Sequence, residues 1–318
     1  MRILVTGCAG YIGSITSRIL IEKGYEVTGI DDLSTGHLGA VPKEINFINL
    51  NILDTDAITK ASENCDAVIH FAGRSLVGES VQNPDLYWLN NLEGSKSLIK
   101  AIQNNNIQKF VFSSSPATYG NPQMKVITET VRTNPMNPYG ETKIAVEEFL
   151  TEATQKSDFG AISLRYFNVA GALRINQEII GERHDPETHL IPNVLKATKE
   201  NPVIVFGDDW NTPDGTCIRD YVHVVDLAEA HISSLDKVEK HKNMSINLGS
   251  GSGSSVFEIL DTAKKVCGRE IPFKIGQRRN GDPETLVADI EKAKSILGWV
   301  PKLDLEHMVK DAYEFINS

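Results

Sequence analysis

The sequence predicts an α/β fold: a doubly wound parallel sheet with helices on both faces, followed by a smaller C-terminal α/β lobe. Three observations carry this. Short apolar runs alternate with helical patterns over the first 170 residues, a glycine-rich turn joins the first run to the first helix, and beyond Gly171 the pattern becomes irregular, with loops rich in Pro, Gly and Asp. Strands covered on both faces read as continuous apolar runs, which is the mark of a parallel sheet between helix layers. The 318 residues exceed the ~250–300 at which single cores stop growing. Two packed lobes, 1–170 and 171–318, are therefore expected, and whether stretches near 217–250 return to the first lobe is left open.

Arg2 to Thr6 is a β-branched run ending at the turn, and Ile12, Ile15, Ile19 and Leu20 then recur at helical spacing until Gly24. Tyr25 to Ile30 forms a second strand that ends in Asp31-Asp32 and completes a strand, helix, strand unit. Further strands are predicted at Ile45–Leu50, Ala67–Ala72, Phe110–Ser113 and Ile162–Tyr166, with helices around Asp85–Asn104 and Tyr139–Thr154. In the second lobe, Val203–Phe206 and Ile271–Ile275 read as extended. Gly249 to Ser255 has the composition of a linker, but it lies between a strand pattern at Ser245–Leu248 and a helical pattern from Val256 to Val266, so a tight turn with a serine cap is expected.

Composition narrows the function classes. With 42 Asp plus Glu against 32 Lys plus Arg, the net charge of −10 disfavours nucleic acid and anionic membrane surfaces as partners, and an anionic ligand needs a locally basic pocket. Cys8, Cys65, Cys217 and Cys267 form no Cys-x-x-Cys, so neither a zinc site nor a disulfide framework is expected, and no metal is. No apolar stretch nears ~18 residues and the first residues show no signal-peptide pattern, so a cytoplasmic location is expected.

Gly7, Gly10 and Gly13 are spaced Gly-x-x-Gly-x-x-Gly between the first strand and the first helix. Missing side chains there let backbone approach a pyrophosphate, stabilised by free N–H groups and the positive helix end. Asp31, 18 positions on at the tip of the second strand, suits ribose hydroxyls and repels a 2′-phosphate, which favours NAD over NADP and gives the first lobe a Rossmann-like character.

Tyr139 and Lys143 lie four residues apart on one face of a helix that starts after Pro138. An ammonium close to a phenol is expected to lower its pKa from ~10 towards the range of a general base. Ser115 follows the strand Phe110–Ser113, at the sheet edge where such folds collect ligands, and so can share a substrate hydroxyl with Tyr139.

With these residues the chain resembles the extended short-chain dehydrogenase/reductase superfamily, and within it the UDP-glucose 4-epimerase (UDP-galactose 4-epimerase) family, over essentially its full length. The resemblance rests on Gly7 to Ser14, His70-Phe71-Ala72-Gly73, Val77-Gly78-Glu79-Ser80, Asn137-Pro138-Tyr139-Gly140 with Lys143, and Leu164 to Asn168. It continues through Asp214-Gly215-Thr216, Arg219 to Val224 with Asp226-Leu227-Ala228, Asn247-Leu248-Gly249, and Arg278-Arg279-Asn280-Gly281-Asp282. It implies an NAD-binding first lobe and a UDP-sugar-binding second lobe, in an isomerase that inverts C4 of a UDP-hexose. The hydride leaves C4 for the nicotinamide, the 4-keto sugar swings about its bond to the diphosphate, and the hydride returns to the other face. Tyr139 is then the base, Lys143 binds the nicotinamide ribose, and Ser115 assists at the sugar O4. The implied cofactor residues are Gly7, Gly10, Tyr11, Ile12, Gly13, Asp31, Asp32, Asn51, Ile52, Phe71, Ala72, Gly73, Asn90, Ser113, Tyr139, Lys143 and Tyr166. The implied substrate residues are Ser115, Tyr139, Asn168, His189, Leu190, Phe206, Arg219, Arg279 and Asp282. The two arginines suit a diphosphate because a guanidinium fork pairs two oxygens at once. A homodimer is also implied.

The chain departs from the pattern in places. Asn51 replaces a frequent aspartate, Ser75 a lysine of some members, and Pro116 a frequent alanine, while Leu286 stands where a tyrosine excludes N-acetylated sugars in some relatives. Related epimerases acting on UDP-N-acetylglucosamine, UDP-glucuronate or a UDP-pentose remain alternatives, as does, from a different class, a non-catalytic dinucleotide-sensing regulator. A 4,6-dehydratase is disfavoured because Pro116-Ala117 follows Ser115 where such enzymes carry an Asp-Glu pair.

Overall fold

The structure is a computed structural model and describes residues 1–122, 124–239, 242–279 and 282–318. Asn280 and Gly281 of the Arg278–Asp282 motif lie outside the described residues.

The strand Arg2–Thr6 sits near the middle of a seven-stranded sheet. Glu26–Asp31 and Asn46–Asn49 flank it on one side. On the other lie, in order, Ala67–His70, Lys109–Ser114, Gly160–Tyr166 and Asn243–Leu248. Every pairing is parallel. Side chains alternate faces along a strand, so Ile3 and Val5 enter one apolar cluster with the helices Tyr11–Glu22 and Val224–Leu235. Leu4 enters the opposite cluster with Gly94–Asn104 and Pro138–Lys156. This three-layer sandwich puts the C-terminal strand ends and the helix N-termini along one rim.

The expected helix over 85–104 is interrupted. A short helix, Pro84–Tyr87, runs into a π-helical stretch, Trp88–Glu93, before the regular turns of Gly94–Asn104. The wider turn carries Asn90 and Asn91, and such bulges frequently mark functional sites. Five helices had no counterpart in the sequence reading: Thr55–Ala61, Val77–Gln82, Leu190–Lys196, Val224–Leu235 and Leu305–Ile316.

The second lobe has its own core of Leu190–Lys196, Val256–Cys267 and Leu305–Ile316. Beside it are the parallel pair Val203–Phe206 with Phe273–Gly276 and a four-stranded sheet. The chain does not stay there: after Tyr221–His223 it returns through Val224–Leu235 to supply Asn243–Leu248, the outermost strand of the large sheet. The serine-rich segment 249–255 is an ordered turn. Buried Asp220 accepts hydrogen bonds from Ser250 N (2.6 Å), Ser250 Oγ (2.5 Å), Gly251 N (3.1 Å) and Ala288 N (2.9 Å). Ser255 then caps the next helix in a capping box with Glu258.

Candidate active site

A cavity of about 350 Å³ opens along the rim, between the glycine turn and the second lobe. At its base, Gly7 has φ +72° and packs so tightly that an added Cβ would lie 2.6 Å from Ala72 N, while one on Gly13 would lie 2.1 Å from Gly7 O. The turn is thereby pressed against the neighbouring strand end. Gly10 caps the twelve-residue helix Tyr11–Glu22 without any side-chain hydrogen bond, which leaves first-turn N–H groups facing the cavity for an anion. Asp31 is buried at the cavity wall, where its carboxylate accepts from Ala9 N (2.9 Å) and Leu33 N (2.8 Å). Burial pushes its pKa up against those two bonds. Each oxygen keeps a lone pair for a ribose hydroxyl. The cradle without side chains, the open helix end and this carboxylate together fit a dinucleotide.

The Pro138–Lys156 helix starts at Asn137, whose side chain accepts from Gly140 N (2.9 Å), with Pro138 in the first turn. Tyr139 and Lys143 therefore point the same way, into the cavity. Lys143 Nζ donates to Ser113 O (2.8 Å) and lies 4.9 Å from the Phe112 ring and 5.7 Å from that of Tyr139. Burial holds its pKa down at about 8, against the pull of Glu147. The Tyr139 phenol differs from expectation: burial raises its pKa, opposed by hydrogen bonding with Ser115. The ammonium is spent on a carbonyl and is itself half-way to neutral near pH 8, so desolvation of the phenol wins. Tyr166 is also raised by burial and by Tyr139, and its hydroxyl meets Ser113 Oγ at 2.5 Å.

The cavity gathers Gly7, Gly10, Tyr11, Ile12, Gly13, Asp31, Asp32, Ile52, Phe71, Ala72, Gly73, Asn90, Ser113, Ser115, Tyr139, Lys143, Tyr166, Asn168 and His189. Asn51 is outside its lining. The Asn51 amide donates to Asp32 (2.7 Å) and accepts from Leu53 N (2.9 Å). Leu190, Phe206, Arg219, Arg279 and Asp282 also stand outside. Four of them pair up, with Arg219 3.6 Å from Asp282 and the Arg279 guanidinium 3.8 Å from the Phe206 ring centre. Asn168 connects the two groups, because it lines the cavity and donates to the carbonyl of Asp220, the neighbour of Arg219.

Several contributors escaped the sequence reading. Ser34 to His37 line the cavity beyond Asp31, and an added Cβ on Gly36 would come within 2.8 Å of Asp31 Oδ1. Asn91, next to the expected Asn90, ties the Gly73–Arg74 loop to the Pro138–Lys156 helix by bonding Arg74 N, Arg74 O and Thr142 Oγ1. Nothing in a sequence separates two adjacent asparagines, and only the π-turn decides which one faces inward. Glu182 and His184 also reach the wall, beside His189. Glu182 is lowered to about 2, its burial overcome by bonds to His184 and His189, and His189 is raised to about 10, its burial overcome by Glu182 and Glu187.

Residues 3–249 match the NAD dependent epimerase/dehydratase family. The chain belongs to that family. Its members are NAD-dependent, in keeping with the cradle just described. The family protein described here is similar to a UDP-glucose 4-epimerase of Lactobacillus helveticus, at 48% identity over 95% of this chain and 92% of that one. It is 44% identical to the UDP-glucose 4-epimerase of Corynebacterium glutamicum, over 100% of this chain and 96% of that protein. Its fold matches the crystal structure of UDP-glucose 4-epimerase from Brucella ovis in complex with NAD, with a TM-score of 0.94 and 42% identity, covering 99% and 98% of the two chains.

Proposed function

We propose that this protein is an NAD-dependent isomerase that interconverts UDP-glucose and UDP-galactose by inverting C4. The observation that carries the reading is that Ser115, Tyr139 and Lys143 share one cavity with a glycine turn fit for a dinucleotide, in a chain akin to UDP-glucose 4-epimerases over its whole length.

NAD held in this cavity would supply a reversible hydride acceptor, and the positive charge of its oxidised ring would favour the neighbouring phenolate. The chain does the rest. Tyr139 takes the proton from the sugar O4 and returns it, and Ser115 holds that oxygen by a hydrogen bond. Lys143, anchored on Ser113 O, orients the cofactor ribose. Asp31 holds the adenosine ribose, with Gly10 to Gly13 on the pyrophosphate. Asn168, His189, Leu190, Phe206, Arg219, Arg279 and Asp282 take the UDP end, where the Arg279 and Phe206 pair offers a flat cationic face to the nucleotide.

On this reading residues 1–170 with 224–248 bind NAD and the remainder binds the UDP-sugar. The protein works as a homodimer in the cytoplasm. Support comes from exposed Val81 and Leu89 on neighbouring turns, from four free thiols, and from the absence among the described residues of a helix long and apolar enough to cross a membrane.

The test is incubation of the purified protein with UDP-galactose and, separately, UDP-N-acetylgalactosamine, without added NAD. Equilibration of the first with UDP-glucose is expected. Leu286 packs beside the cluster of Tyr119 and Phe167, and turnover of the second compound reports how much room that side chain leaves. No turnover of UDP-galactose by NAD-loaded protein overturns the proposal.

A further inference from the structure

Four donor side chains, Glu182, His184, Glu187 and His189, fall within eight residues of one loop. One donor atom from each of Glu182, His184 and His189 lies within 4.8 Å of the others. Glu182 Oε1 is 2.8 Å from His184 Nδ1 and 2.9 Å from His189 Nδ1, and His189 Nδ1 is also 2.8 Å from Glu187 Oε1. These contacts are short of protons. One Nδ1 hydrogen on His189 cannot serve two carboxylates fully, and Glu187 leaves its second oxygen with no partner among the described residues, although the side chain is only 9% exposed. The His189 ring already lies between the two carboxylates, yet the buried second oxygen of Glu187 stays unpaired, and such an oxygen favours a further cation.

Separations of 2.8–2.9 Å are hydrogen-bond distances that also lie close to the ligand spacing around a divalent ion, roughly 2.9 Å for six ligands at about 2.1 Å and somewhat wider for four. We propose that Glu182, His184 and His189, with Glu187 as the adjoining carboxylate, bind a divalent transition-metal ion of the zinc class. Imidazole with carboxylate is a donor set that suits zinc and its neighbours. Glu182, His184 and His189 line the same cavity as Gly10 and Tyr11, so the ion offsets the negative charge that Glu182 places on that wall. The proposal does not depend on the reaction assigned above, because it concerns the metal alone.

The test uses the full-length protein, stripped with a chelator and titrated calorimetrically with Zn²⁺, with Co²⁺ as an absorption probe. Saturable uptake of about one Zn²⁺ per chain is expected, with a rise in the unfolding temperature of the wild type on adding Zn²⁺. His184→Ala should weaken Zn²⁺ binding by more than the roughly 10–100-fold that losing an outer-shell partner costs. Glu187→Gln should weaken it within that range. Circular dichroism of the stripped variants checks that they are folded, and the wild-type titration stands even if one is not. No saturable Zn²⁺ or Co²⁺ uptake by the wild type overturns the proposal, as does unchanged affinity in folded His184→Ala and Glu182→Gln proteins.

Discussion

Tyr139 and Lys143 share a desolvated spot, and each is held in its neutral form more readily than in water. Lys143 titrates at about 8 rather than 10.5, so between those values the unfolded chain binds more protons than the folded one. Stability therefore rises with pH across that window, and the penalty of burying the charge is fully present below pH 8. Lys143→Met should be more stable than the wild type at pH 7, by about 2 kcal/mol, and should lose most of the rise towards pH 10. Urea midpoints at the two pH values decide it, and a variant less stable at pH 7 contradicts the burial argument. The same substitution should abolish useful turnover, the usual exchange of stability for activity. Tyr139→Phe is expected to cut turnover by at least about 10²–10⁴-fold, while NAD retention, read from absorbance of the released nucleotide, stays normal. Near-normal turnover would remove Tyr139 as the proton acceptor.

At the level of single elements, the segments that the sequence made plain are those governed by local rules. The glycine turn, the first helix and the helix started by Pro138 are encoded within a few residues of themselves. The 249–255 turn was legible for the same reason, since a strand pattern before it and a serine cap after it left no room for a linker. The anchor of that turn was not legible, because Asp220 lies 30 positions away from Ser250 in the chain. Asp220→Ala takes the acceptor from three backbone N–H groups, those of Ser250, Gly251 and Ala288, and should cost about 2–4 kcal/mol, measured by chemical denaturation; a loss under about 0.5 kcal/mol would mean the turn holds without it. Tertiary context likewise hid the Val224–Leu235 helix, and the fate of the Tyr139 phenol, which depends on how deeply the helix is covered rather than on the Tyr-x-x-x-Lys spacing.

Across the whole molecule, ligand linkage offers a direct check on the cleft. NAD binds only the folded chain, so at a hundredfold excess over its dissociation constant it should add about 2.7 kcal/mol to stability. The same concentration of NADP should add far less, because Asp31 opposes the 2′-phosphate. Equal thermal shifts from the two nucleotides would remove Asp31 from that role. The cleft walls came from motifs near residues 10, 31, 115 and 139, whereas the pairing of Phe206 with Arg279 arises only when distant segments meet, and the loop 181–189 carries its Glu and His residues close together in the chain but reaches the cavity only through the fold.

The outermost strand of the large sheet, Asn243–Leu248, reaches its place only after the chain has made the first part of the second lobe and the helix Val224–Leu235. During synthesis, Gly160–Tyr166 must therefore wait with a bare edge until some eighty further residues have left the ribosome. A polypeptide cut at 170 should aggregate instead of forming a tractable nucleotide-binding module, whereas one ending near 250 has every strand it needs to close that border.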